Sequence, residues 1–185
     1  MSYAQICMAV KNIQKEYEEN NPFHLCRDMN ILLRQVNLGT EPDAIKGFFL
    51  KNKNIQSITV NSDLPESIQQ IIIAHELGHC ILHSHPGVQA FHDIALFDEC
   101  SILEKEANLF AAELLLNDQD VYEVLNQDTT FFTTARTFCV PAELLDFKFR
   151  IMKWKGYKLT EPPISAQNNF LSKLEVLSDA DYYSD

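Results

Sequence analysis

The chain has 185 residues, 46% hydrophobic and 22% charged, which suits one globular domain with an ordinary core. Its formal charge of −11 (15 Lys and Arg against 26 Asp and Glu) argues against non-specific binding to nucleic acid or anionic membranes. Five cysteines without a C-x-x-C pair, no signal-like start and no apolar run near the roughly 20 residues of a membrane span predict a cytoplasmic protein with reduced thiols.

Ile6, Val10, Ile13 and Tyr17 recur at helical spacing and predict an amphipathic helix over Ser2–Glu19. Asn20-Asn21-Pro22 ends it, and Pro22 can start a short second helix through Met29. Ile31–Val36 reads as a strand. Gly47–Leu50 and Ile55–Asn61, joined by the polar turn Lys51–Asn54, read as a β-hairpin. In its second arm Ile58 and Val60 alternate with Ser57, Thr59 and Asn61, which predicts one buried face. Asp63-Leu64-Pro65-Glu66 offers a capped start to a helix whose clearest stretch is Gln69–His83. His83–Asp98, with Pro86-Gly87, reads as a loop with a short edge strand at Ala95–Phe97. Helices follow over Glu104–Leu116, Val121–Leu125, Thr130–Phe138 and Pro141–Trp154. Ser178–Asp185 is an acidic tail expected to be mobile. The whole reads as one domain over 1–185, with a core at about 22–157 behind an N-terminal helix within 1–21.

The chemistry concentrates at His75-Glu76-Leu77-Gly78-His79, an H-E-x-x-H match. Four residues apart on a helix, His75 and His79 stand one turn above each other and can aim both imidazoles at one zinc ion. Glu76, one residue on, can serve a water at that ion instead. Zinc lowers the pKa of such a water towards about 7, so a neighbouring carboxylate can take its proton during attack on a carbonyl. The apolar flank Ile71-Ile72-Ile73-Ala74 buries the helix, and Gly78 calls for a packing or functional reason.

A catalytic zinc needs a third protein ligand. His83 continues the i, i+4 series but lies about 12 Å along the axis from His75, too far to share the ion, and reads as a group behind the ligands or at the surface. His85 stands at the metzincin spacing, but Leu82 occupies the position where that pattern wants glycine for a sharp turn. The helix from Glu104 to Leu115 supplies glutamates. Of these, Glu106 lies one turn before Phe110 and leans towards the buried side, where a carboxylate needs a charged partner.

His75-Glu76-Leu77-Gly78-His79 together with Glu104-x-Glu106-Ala107-Asn108-x-Phe110-Ala111-x-Glu113-Leu114-Leu115 resembles the ImmA/IrrE family of metallo-endopeptidases. The hairpin ending Ile58-Thr59-Val60-Asn61 and the later Phe138-x-Val140-Pro141 are similar too, so the resemblance spans roughly residues 22–157. It implies an α+β fold with a compact gluzincin-like zincin core. There a small antiparallel sheet packs on the H-E-x-x-H helix and a glutamate-bearing helix, with extra helices after them. It implies a zinc site of His75, His79 and Glu106, the glutamate just before the Ala-Asn pair, with Glu76 as the general base. It further implies limited proteolysis of a helix-turn-helix transcriptional repressor of a phage, mobile element or stress regulon. The chain ahead of the sheet is too short for the DNA-binding domain that some family members carry, which suggests a stand-alone peptidase acting on a separate repressor.

A second reading makes the chain a non-catalytic module that titrates its repressor from DNA, with a structural or vestigial metal site. Glu76 favours the enzyme, since a purely structural site has no use for a base beside the metal. Lys148, Arg150, Lys153, Lys155 and Lys158, clustered with Phe149, Trp154 and Tyr157, read as the solvated face and aromatic stripe of a terminal helix; direct nucleic-acid binding is not expected. Cys80 reads as a packed thiol in the motif helix rather than a nucleophile, and Cys100 carries no better case. Tyr122 and His92 are both candidates to stabilise an oxyanion.

Overall fold

The computed structural model describes residues 1–41, 43–52, 55–83, 90–91, 98–127 and 129–174. Helix α1 (Tyr3–Tyr17) opens with a capping box. Ser2 Oγ accepts from the Gln5 backbone N–H, and the Gln5 side chain accepts from the Ser2 backbone N–H. Its apolar stripe of Ile6, Val10 and Ile13 is buried, with α1 lying against both long central helices. Helix α2 (Pro22–Asp28) starts on Pro22, with Asn21 accepting from the Phe23 N–H.

Strands β1 (Leu32–Val36), β2 (Gly47–Asn52), β3 (Ile55–Asn61) and β4 (Ala90–Phe91) form one sheet in the order β1-β3-β2-β4. The β2–β3 hairpin is antiparallel as expected, but the sheet is mixed, because β1 runs parallel to β3. The hairpin folds back to insert β3 between β2 and β1, so β3 is an interior strand. The expected alternation is corrected as well, over the last four residues of β3. Thr59 and Asn61 are buried along with Ile58 and Val60. Asn61 is satisfied there by donating to Gly39 O (2.7 Å) and accepting from the Leu38 and Asp63 N–H groups.

Helix α3 (Glu66–Leu82) carries the H-E-x-x-H motif and lies between the sheet and helix α4 (Asp98–Leu115). Thirteen of its 17 residues are buried, from Ile68 through Leu82, as a helix covered on opposite sides must be. Asp63 does not cap it. Pro65 holds the N-cap position without a side-chain bond, while Asp63 instead accepts from Asn37 and the Gly39 N–H. Gly78 is where α3 and α4 come closest: a Cβ there would lie 3.0 Å from Ala107 Cα and 3.2 Å from Phe110 Cβ. The expected strand at Ala95–Phe97, the Pro86-Gly87 loop, part of the hairpin turn and the tail from Ser178 lie outside the described residues.

Helices α5 (Asp118–Leu125), α6 (Phe131–Thr137) and α7 (Ala142–Trp154) complete the fold, and α7 packs on the far side of α4. Lys148 is not on a solvated face. Its side chain is 1% exposed, with Nζ 2.7 Å from Glu113 Oε2 and 2.6 Å from Asp118 Oδ1. After α7 the chain returns across the domain. Asp146 accepts from Arg150 and from the Ala166 N–H, and Phe170 packs on Phe147 before a 3-10 turn at Leu171–Lys173. Among the described residues no helix is long and apolar enough to cross a membrane.

Candidate metal centre

His75 and His79 on α3 and His83 at its C-cap form a column one turn apart. Their positions are fixed because Ile71, Ile72 and Ile73 on the preceding turn are buried in the core. The Nε2 atoms of His75 and His79 lie 3.0 Å apart, and both face the carboxylate of Glu104 on α4. Glu104 Oε2 is 3.2 Å from His75 Nε2, and Oε1 is 3.2 Å from His79 Nε2. Among the described residues these three form the group able to hold a metal ion.

The structure brings Glu104 into this cluster and places Glu106, the ligand expected from the sequence, beside His83 instead. Glu104 and Glu106 are two residues apart, so they project about 200° apart round the helix. The side of α4 that meets the H-E-x-x-H turn carries Glu104, Ala107 and Asn108 at i, i+3 and i+4, with Phe110 Cβ also close to Gly78. Glu106 is also buried, but its Oε2 accepts from His83 Nε2 at 2.9 Å, and its Oε1 contacts the Met1 amino group. His85 and His92 lie outside the described residues. Tyr122 packs edge-on against Tyr157, with 5.4 Å between ring centroids, and lines a surface hollow with Lys155 and Lys158 rather than the cleft.

Each imidazole is held from behind. His75 Nδ1 lies 2.8 Å from Asn108 Oδ1, which can only accept, so Nδ1 carries a proton and Nε2 is the nitrogen presented to Glu104, where a metal ion would take the place of its proton. Asn108 sits one turn beyond Glu104 and donates in turn to Asn168 O in the returning C-terminal segment. His79 Nδ1 lies 3.1 Å from His83 Nδ1. Glu76 lines a narrow cleft with His75, Glu104, Lys46, Gly47, Asn169, Leu171 and Ser172. The wall supplied by Lys46 and the 169–172 segment has no local signal in the sequence, because it is assembled from residues more than 120 positions apart.

The electrostatics fit a cation. Burial pushes Glu104 up, but the bonds from His75 and His79 outweigh it and hold the carboxyl well below the usual range. Burial likewise pushes His75 down, yet the Glu104 carboxylate outweighs it and holds the imidazole up at about 8. His79 is lowered, chiefly by burial, and His83 is pushed down to about 4 by burial and by the neighbouring His79. The donor set is two nitrogens and a carboxylate, with edges of 3.0, 3.2 and 3.2 Å. A tetrahedral ion with ligands at roughly 2.0–2.1 Å has edges of about 3.3–3.4 Å. The residues therefore fit zinc with a few tenths of an ångström of adjustment.

A mixed sheet, a buried H-E-x-x-H helix and a glutamate-bearing helix laid against it make a compact α+β fold of metallopeptidase type. The chain belongs to the IrrE N-terminal-like domain family of peptidases, whose family model matches residues 26–150. It is 36% identical over 146 residues to "uncharacterized immunity region protein 2" of Bacillus phage phi105, covering 79% of this chain and 90% of that protein. It is 30% identical over 143 residues to "metallopeptidase ImmA" of Bacillus subtilis (strain 168), covering 75% of this chain and 80% of that relative.

Proposed function

We propose that the chain is a zinc-dependent endopeptidase that inactivates a helix-turn-helix transcriptional repressor by limited proteolysis. The observation that carries the enzymatic part is the lining of one cleft by Glu76, His75 and Glu104, with the His79 Nε2 converging on the same carboxylate. His75, His79 and Glu104 would hold the metal. Bound there, zinc would supply a Lewis acid for the scissile carbonyl and lower the pKa of the attacking water. Glu76 accepts that water's proton on its carboxylate and returns it to the departing amine, typically worth 10²–10⁴-fold in rate. Asn108 keeps His75 in the tautomer that leaves Nε2 open. Burial of the site favours these charge interactions over those in bulk water.

The substrate class rests on family membership and on the similarity to an immunity-region protein and to ImmA. The charge of −11 adds weaker support, since a DNA-binding repressor presents a basic face. The test is to incubate zinc-loaded protein with the repressor encoded beside it, then read fragments by mass spectrometry and operator binding by gel shift. Discrete fragments with loss of operator binding are expected. Intact repressor released from its operator would select the titrating module instead, and intact repressor still on DNA would overturn the substrate assignment.

A further inference from the structure

Glu106 and His83 are both buried, both ionisable, and neither is a ligand in the cluster of His75, His79 and Glu104. Their bonds run in one direction. Glu106 Oε2 is a carboxylate oxygen 2.9 Å from His83 Nε2, so it accepts and Nε2 carries a proton. His83 Nδ1 faces His79 Nδ1 at 3.1 Å, and two N–H groups cannot bond to each other, so one of these atoms must be an acceptor. With the His83 proton drawn to Glu106, its Nδ1 offers the lone pair and His79 Nδ1 donates. In the neutral imidazole that leaves Nε2, the atom that faces Glu104 and His75, as the nitrogen open to a metal ion.

We infer that Glu106 and His83 form a positioning relay that fixes the tautomer and ring orientation of His79 for metal binding, a role that rests on the zinc reading above. The relay is the counterpart of Asn108 behind His75, but one residue longer. At the C-cap of α3, His83 is the next turn of the histidine column, and its backbone N–H closes the helix on His79 O at 3.1 Å. On α4, Glu104 and Glu106 reach different turns of that column. The first meets the Nε2 atoms of His75 and His79, and the second reaches His83. Two glutamates two positions apart would thus act on the same ion, one directly and one through two imidazoles. Neither His83 nor Glu106 touches the reacting atoms. Their effect is on ligand basicity and geometry, where such supporting bonds typically change metal affinity by 10–100-fold.

The test measures zinc dissociation constants by competition with a chromogenic chelator for wild type, His83→Ala, His83→Gln, Glu106→Ala and His79→Ala. Each is paired with the visible absorption of the cobalt-loaded protein and the melting temperature of the metal-free protein. His83→Ala and Glu106→Ala are expected to bind zinc about 10–100-fold more weakly with an altered cobalt spectrum. His83→Gln, whose amide oxygen can accept from His79 Nδ1, is expected to recover part of the loss, which a purely packing role would not produce. Glu106→Ala leaves the end of α3 intact and gives a reading even if His83→Ala fails to fold. Wild-type affinity and spectrum in both alanine variants, with zinc lost in His79→Ala, would overturn the relay alone. Wild-type affinity in His79→Ala as well would overturn the metal centre itself.

Discussion

Gly78→Ala tests the helix contact on which the metal centre depends. The added Cβ would sit 3.0 Å from Ala107 Cα and 3.3 Å from Ala107 O, both backbone atoms of α4, and 3.2 Å from Phe110 Cβ. Comfortable carbon–carbon separation is about 3.5–4.0 Å, so α4 must retreat by about half an ångström. Alanine would gain up to about 1 kcal/mol in helix propensity, while overpacking a core typically costs about 1–3 kcal/mol. The net is a loss of about 0–2 kcal/mol, or a fall of roughly 0–8 °C in melting temperature for a domain of this size. The larger effect is expected at the metal. Metal–ligand distances tolerate only about 0.2 Å, and Glu104 rides on α4 one turn before Ala107. Zinc affinity should fall by at least about tenfold, the low end for a disturbed metal environment. Thermal unfolding of the metal-free protein and chelator competition separate the two effects. A variant that melts higher than wild type and binds zinc equally well would refute the close-approach argument.

Glu76→Gln keeps all three proposed ligands and is expected to retain zinc while losing 10²–10⁴-fold in cleavage rate; undiminished cleavage would remove Glu76 from the mechanism. Lys148→Met leaves Glu113 and Asp118 facing Lys155 alone, and breaking such a buried pair costs about 3–5 kcal/mol, measurable by urea denaturation. The same cluster sets an acid limb. Burial raises Asp118, but the bonds from Lys148 and Lys155 outweigh it and hold the pKa below its usual value. Its contribution is therefore present above about pH 4, is lost as pH falls through the lower folded value, and should shrink in Lys148→Met. Cys26, fully buried with its thiol pushed up to about 12 by burial and the nearby Cys80, should resist alkylation in native protein, whereas the exposed Cys139 should react.

The long helices are legible because their buried residues recur with the helical period, as Ile6, Val10 and Ile13 do. The H-E-x-x-H pair is legible because four residues make one turn. What could not be read locally was which face of α4 meets α3, and the choice between Glu104 and Glu106 turned on that. A usable signal was present. Ala107 and Ala111 are small residues at helical spacing that continue back to Glu104, and Ala107 lies opposite the one glycine of α3. Burial of Lys148 and of Asn61 depends on partners from distant segments, Glu113 and Asp118 in one case and Leu38 and Gly39 in the other. Periodicity within one element carries no record of them.

Zinc content after equilibration at fixed, buffered free zinc tests the metal centre most directly, with Glu104→Gln and Glu106→Gln compared side by side. Wild type is expected to hold one zinc per chain. Glu106→Gln should keep it, because the amide oxygen can still accept from His83, and Glu104→Gln should lose it. Full occupancy in Glu104→Gln with an empty Glu106→Gln would contradict the account and return the third ligand to Glu106.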